Sequence, residues 1–334
     1  MDFAIPRMLA NDAGDPIAAP IPGVRAACPS CRQDGADQGS LPTRSGLMDR
    51  WGKARLYQCR SCGMLFKRPC PSQADLQAMY EQIPETTWQG GSPRRDFQLV
   101  ARVVAKTFPR GAVLDVGCFC GDLLQSLPDR FEKFGIEPSA QARQVATERG
   151  IRILGADANC PLAAARKFEA ILLIDVIEHL PDPLAILGTL SRSLAAGGRM
   201  IISTGNSDSL LWRLMRRDYY YYYPEHVSFL NARWFRWAAG RLDLTVSSIA
   251  WFRHERHGPV ETAKNVLLMG LFAAGRVVRA SPMLRAAIGG LYPLNKAVAW
   301  PRSPYNKCWP DHLMVVLKRP RSSSGDRSMV QESK

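Results

Sequence analysis

The chain has 334 residues, 46% hydrophobic and 22% charged, with 44 Lys and Arg against 30 Asp and Glu for a formal net charge of +14. That length can bury one large core and carry an appendage, and the composition excludes a peptide-sized module or a disordered chain. The positive balance favours an anionic partner such as nucleic acid, a phosphorylated substrate or an acidic membrane surface, but the basic residues are dispersed and form no long like-charge block.

Residues 1–25 are rich in Pro, Ala, Gly and Asp without periodicity and are predicted to be a flexible leader. They show no basic start followed by an apolar core, so no secretory signal is read and the nine cysteines are expected to be reduced in a cytoplasmic setting. Residues 26–72 hold two Cys-x-x-Cys pairs, Cys28 with Cys31 and Cys59 with Cys62, separated by 27 residues. Four thiolates suit a closed tetrahedral Zn2+ site, and Gly63 allows the tight turn after the second pair, so this segment is predicted to be a structural zinc ribbon. A helical linker is expected over 73–95.

The stretch DFQLVARVVAKTF from Asp96 has apolar residues at helical spacing and leads into alternating strands and helices. Strands are predicted at Ala112–Val116, Lys133–Glu137, Ile151–Leu154, Ala170–Asp175, Arg199–Ser203, Leu244–Phe252 and His312–Lys318, with helices between the first five. The fold class is therefore α/β, a doubly wound and mostly parallel seven-stranded sheet spanning 96–253 and 310–319. About sixty residues separate the last two strands, far more than a hairpin needs, and predict a helical insertion over 254–309. Its apolar run VLLMGLFAAG, Val266 to Gly275, is too short to span a bilayer but could rest on one, which makes peripheral contact with the inner membrane face through 260–300 an expectation. His254 and His257, beside Arg253 and Arg256, open this insertion and could join a phosphate-binding rim. Residues 320–334 form a polar tail.

The chemistry centres on VLDVGCFCG, where a buried strand ends in Asp115 and runs through Gly117, Cys118 and Phe119 to Gly121 before a helix. That is the layout of a nucleotide site at the carboxyl end of a first strand, but the spacing does not supply the Gly-x-Gly-x-x-Gly of dinucleotide folds. Cys118 and Cys120 lack the two-residue spacer of a metal knuckle and are read as small loop residues. The loop resembles motif I of the class I S-adenosylmethionine (SAM) dependent methyltransferases, with Phe119 where the middle glycine usually stands. KFGIEPS, GADAN and FEAILLIDVIEHLPDPLAIL follow in the order and spacing of that family, and the last resembles the ubiquinone-type O-methyltransferases and related sugar enzymes.

The resemblance implies that Glu137, followed by Pro138, accepts the ribose hydroxyls and that Asp157 with the Ala158 amide meets the adenine. Asp115, Gly117, Cys118, Phe119, Gly121 and Asp175 would complete the cofactor site. It also raises Asp175, Glu178 and His179, spaced to converge on one helical turn, as possible ligands of a divalent ion, with Glu178 and His179 otherwise facing acceptor or cofactor.

The segment DYYYYYPEHVSFL then offers His226, whose side chain titrates near neutrality when unperturbed and would suit a general base, beside Tyr219 to Tyr223, read either as a stacking wall or as core. The leading expectation is methyl transfer to a small-molecule or glycan acceptor, anionic and phosphorylated or lipid-linked, with ribbon and insertion walling its pocket. An RNA methyltransferase and a non-catalytic scaffold are the alternatives. The Asn-Pro-Pro-aromatic signature of amino-directed nucleic-acid enzymes is absent after the fourth strand, which sets nucleic acid below a small molecule as partner.

Overall fold

The computed structural model describes residues 25–41, 54–72, 74–76, 94–160, 165–223, 225–253, 258–280 and 309–321, with the single positions 78, 163 and 283. Two sheets organise it. The smaller contains β1 (Ala26–Ala27), β2 (Asp34–Ser40), β3 (Arg55–Cys59) and β4 (Leu65–Arg68). The larger contains β5 (Gly111–Val116), β6 (Phe131–Ile136), β7 (Arg152–Gly155), β8 (Phe168–Ile174) and β9 (Leu194–Gly205). After β10 (Ser228–Phe229), which joins the small sheet, β11 (Thr245–Phe252) and β12 (His312–Lys318) complete the large one in the order β11-β12-β9-β8-β5-β6-β7.

The five strands from β5 to β9 are mutually parallel, and β12 runs antiparallel to both β9 and β11. Chain order reverses at β5, which lies between β6 and β8. A crevice opens beyond the carboxyl ends of the strands at such a switch point.

Both faces of this sheet are covered, which explains why β8 reads as a continuous apolar run. Successive side chains point to opposite faces. Leu114, Ile171, Leu173, Met200, Ile202 and Val315 accordingly enter one core, while Val113, Leu172, Ile201 and Val316 enter the other. The second core receives Val100 and Val104 from α1 (Arg95–Thr107), the amphipathic helix expected there.

The small sheet extends beyond the segment 26–72. It takes a fifth strand from the main domain, β10 pairing antiparallel with β4 through Ser228↔Phe66 and Phe229↔Leu65. The Lys67 amide donates to the Val227 carbonyl at 3.0 Å and the Val227 amide to the Glu178 carbonyl at 2.8 Å, tying the ribbon to the loop after β8.

Asn231 makes the second joint. Its Oδ1 accepts from the Trp234 amide at 3.0 Å, capping the helix Ala232–Arg241, while its Nδ2 donates to the Gly63 carbonyl at 2.9 Å. A cap and a knuckle thus share one side chain. Of the expected insertion, the helix Pro259–Ala280 is described; it sets Met269 and Phe272 against Tyr219–Tyr222 rather than against the crevice. The leader, most of the 73–95 linker, His254, Arg256, His257, residues 284–308 and the tail beyond 321 lie outside the described residues.

Candidate active site

A cleft of about 1550 Å³ fills the crevice at the switch point, lined by the ends of β5, β6 and β8, by ribbon residues including Arg32, Arg68 and Cys70, and by Leu76 of the linker. One end is built from three short loops. Past β5 the backbone turns through Gly117 at φ +73° and Gly121 at φ +84°, and a Cβ on Gly117 would stand 2.6 Å from Val176 Cγ2. Only glycine fits that turn without displacing the wall. Phe119, in place of the middle glycine, adopts the same left-handed region at φ +48° and lines the cleft, so the loop keeps its shape at the cost of local strain.

The shape is fixed by Glu137, just beyond β6. Its Oε2 accepts from the Phe119 amide at 2.9 Å and its Oε1 from the Ser139 amide at 2.8 Å. Burial pushes this carboxyl up, and the two amides with Arg143 oppose that. A carboxylate has about four acceptor positions, so two remain for a ligand.

Asp115 is buried, and burial first, then the charge on Glu137, push it up to about 8 against the pull of Arg94. Asp157 is exposed at the rim, its Oδ1 accepting from the Asn159 amide at 2.7 Å, with Ala158 buried beside it. Cys118 and Pro138 also line this end, whereas Gly121 shapes the turn without reaching the cleft.

The other end departs from expectation. Asp175, Glu178 and His179 do not share one face of a helical turn. Asp175 sits at φ +56° and pairs with Arg94, which also pairs with Asp96, while Glu178 and His179 lie in the 3-10 turn Ile177–His179. The donor atoms that do converge, within 4.8 Å of one another, belong to Glu178, His179 and His226. Both Glu178 oxygens are already engaged, Oε1 by the Tyr221 hydroxyl at 2.5 Å and Oε2 by Thr204 Oγ1 at 2.9 Å. Burial, then Asp175, push that carboxyl up to about 7.

His226 packs edge-on against His179, ring centroids 4.7 Å apart, with Nδ1 3.0 Å from the Tyr221 carbonyl. A carbonyl can only accept, so Nδ1 carries the proton and Nε2 is the acceptor. The near-neutral titration expected of His226 does not hold. The ring is buried, and burial first, then His179 and Lys67, hold its pKa well below the usual imidazole value. The tyrosine run divides: Tyr219 and Tyr222 are core residues around Trp212, and Tyr220, Tyr221 and Tyr223 also reach the cleft.

Sequence reasoning missed the Asp311–His312 pair at this end, where His312 Nδ1 lies 2.8 Å from Asp311 Oδ1. A topological signal existed. Because β12 is antiparallel, its first residue, not its last, stands at the carboxyl edge of the parallel strands, opposite Gly205 at the end of β9.

In the ribbon, the sulfurs of Cys28, Cys31, Cys59 and Cys62 lie within 4.8 Å of one another, Cys28 to Cys62 at 3.6 Å and Cys31 to Cys59 at 3.3 Å. Four sulfurs about 2.3 Å from a tetrahedral Zn2+ would stand about 3.8 Å apart, so the donor set and spacing fit that ion.

Residues 89–249 match the family described as Methyltransferase domain. The ubiquinone biosynthesis O-methyltransferase of Aeromonas salmonicida is 28% identical over 111 residues, covering 31% of this chain and 47% of that protein. That of Idiomarina loihiensis is 32% identical over 113 residues, covering 30% and 45%. The match thus spans about half the length of these curated relatives. A SAM-dependent methyltransferase structure from Archaeoglobus fulgidus aligns with a TM-score of 0.43 at 14% identity, covering 74% of this chain and 100% of that one.

Proposed function

We propose that this protein, whose residues 89–249 match the family described as Methyltransferase domain, is a class I enzyme that transfers a methyl group from SAM to a small-molecule acceptor. The observation that carries the reading is Glu137, held by two loop amides with acceptor capacity to spare. Glu137 would take the ribose hydroxyls, the Gly117–Phe119 turn the amino-acid portion, and Asp157 with Ala158 the adenine. SAM bound there supplies an electrophilic methyl group on a sulfonium.

The chain's own residues do the rest. Displacement at that methyl needs the acceptor held in line and, for a hydroxyl, its proton removed. Histidines line the far end of the cleft, His226 being the one read from sequence, and a histidine there is the group we assign to take that proton. Arg32 and Arg68 on the ribbon wall, with the buried ammonium of Lys67 close enough to influence His179 and His226, favour an anionic acceptor such as a phosphorylated sugar. A structural Zn2+ on the four ribbon cysteines belongs to the same proposal.

So does peripheral membrane contact, supported by Val260, Val266 and Leu267 exposed on the helix Pro259–Ala280. No helix among the described residues is long and apolar enough to cross a membrane.

Calorimetric titration with S-adenosylhomocysteine tests the cofactor site. Binding at one per chain is expected, weakened about 100-fold in Glu137→Ala, as the loss of charge-assisted hydrogen bonds implies. A folded protein that binds none would overturn the reading.

A further inference from the structure

Three of the chain's five histidines, His179, His226 and His312, line one cleft. They are held differently. His226 leans on a neutral carbonyl, which lends no charge to an imidazolium, and it lies near the cation of Lys67. His312 leans on a carboxylate.

That carboxylate is itself fixed. Asp311 Oδ2 accepts from the Tyr219 hydroxyl at 2.6 Å and the Tyr220 hydroxyl at 2.8 Å, leaving Oδ1 for His312 Nδ1 at 2.8 Å, and its backbone carbonyl accepts from the Asn206 amide at 2.7 Å. Burial works to raise the Asp311 pKa, but His312 and the two phenols outweigh it and hold the carboxyl below its ordinary value. An ionised carboxylate can only accept, so His312 Nδ1 must donate and Nε2 becomes the basic nitrogen. The geometry is that of a carboxylate-oriented imidazole, the arrangement by which acyl-transfer enzymes fix the tautomer of a general base and stabilise its imidazolium. Here no serine or cysteine nucleophile is required. The only proton to be moved is the acceptor's.

We infer that His312, oriented by Asp311, is the general base that takes the proton of the methyl acceptor. The inference rests on the methyltransferase reading above. As the acceptor oxygen forms its bond to the methyl carbon, the sulfur–methyl bond breaks with its electron pair left on sulfur. The acceptor O–H proton passes to His312 Nε2, and the imidazolium so formed is balanced by Asp311. Tyr219 and Tyr220 are positioning residues acting through Asp311. His226, its ring tilted against Tyr221 at 4.5 Å between centroids, with the Tyr221 ring in turn 5.4 Å from His312, orients the acceptor.

The test uses the full zinc-loaded chain and two readouts. Nitrogen-15 spectra of histidine-labelled protein should place the His312 proton on Nδ1, and Asp311→Asn should abolish that single-tautomer signal. Transfer from methyl-labelled SAM into a protein-free metabolite extract of the producing cells should fall about 100- to 10,000-fold in His312→Gln. Asp311→Asn should fall comparably and His226→Gln by about tenfold, with S-adenosylhomocysteine affinity unchanged within about threefold in all three. Native His312 protonated on Nε2, or a His312→Gln protein turning over within threefold of native, would overturn the assignment while leaving the cofactor reading intact. Native protein that fails to bind S-adenosylhomocysteine would overturn both, and the titration alone tells the two failures apart.

Discussion

The two ends of the cleft are built by different means. The cofactor end comes from three short loops, 117–121, 137–139 and 157–158, each following one parallel strand, with Glu137 and Asp157 held by backbone amides. The acceptor end gathers Arg68 and Cys70 of the ribbon, Glu178 and His179, Tyr220, Tyr221, Tyr223 and His226, and His312, brought together by β4–β10 pairing and by the antiparallel last strand. A backbone cradle tolerates side-chain change, as Phe119 in a glycine position illustrates. A side-chain cluster assembled across four chain segments does not.

The sharpest way to separate the two ends is to break the ribbon. Cys59→Ser should lose bound zinc, and structural zinc contributes on the order of 10 kcal/mol to folding of such modules. The β4–β10 edge carries Lys67 and Arg68, and the joint to Glu178 runs through Val227, so methyl transfer should fall by at least about 100-fold. S-adenosylhomocysteine affinity should change less than about tenfold, because none of the residues assigned to it lies in the ribbon. Metal analysis, turnover and titration on one preparation check this; equal loss at both ends would show that the ends are not independent.

A smaller effect probes the electrostatics of the cofactor end. With its carboxyl raised to about 8, Asp115 keeps its proton in the fold while an unfolded aspartate gives it up near 4. The folded state therefore binds more protons across that window, and stability falls as pH rises from about 4 to about 8. Asp115→Asn should remove this component. Its melting temperature relative to native should climb between pH 5 and pH 8, a trend scanning calorimetry would detect. A pH-independent difference would count against the buried, protonated acid.

The smallest change belongs at the loop's odd residue. Phe119→Gly relieves a left-handed φ worth about 1 kcal/mol but gains unfolded-chain entropy of similar size. Stability should move by less than about 1 kcal/mol and S-adenosylhomocysteine affinity by less than about threefold, since the amide that meets Glu137 remains. A large affinity gain would mean that the ring itself obstructs the cofactor.

By itself the sequence determined the parallel sheet, the glycine turns at Gly117 and Gly121, the acid after β6 and the two cysteine pairs. Each of these is a contiguous pattern whose meaning follows from strand periodicity, from φ or from ligand spacing. Tertiary structure alone decided that Asp175 turns to Arg94, that burial lowers the pKa of His226, that β10 joins the ribbon, and that His312, held by Asp311, reaches the cleft. The reason is physical: desolvation and long-range pairing depend on what surrounds a side chain in space, and neither is written in the residues next to it.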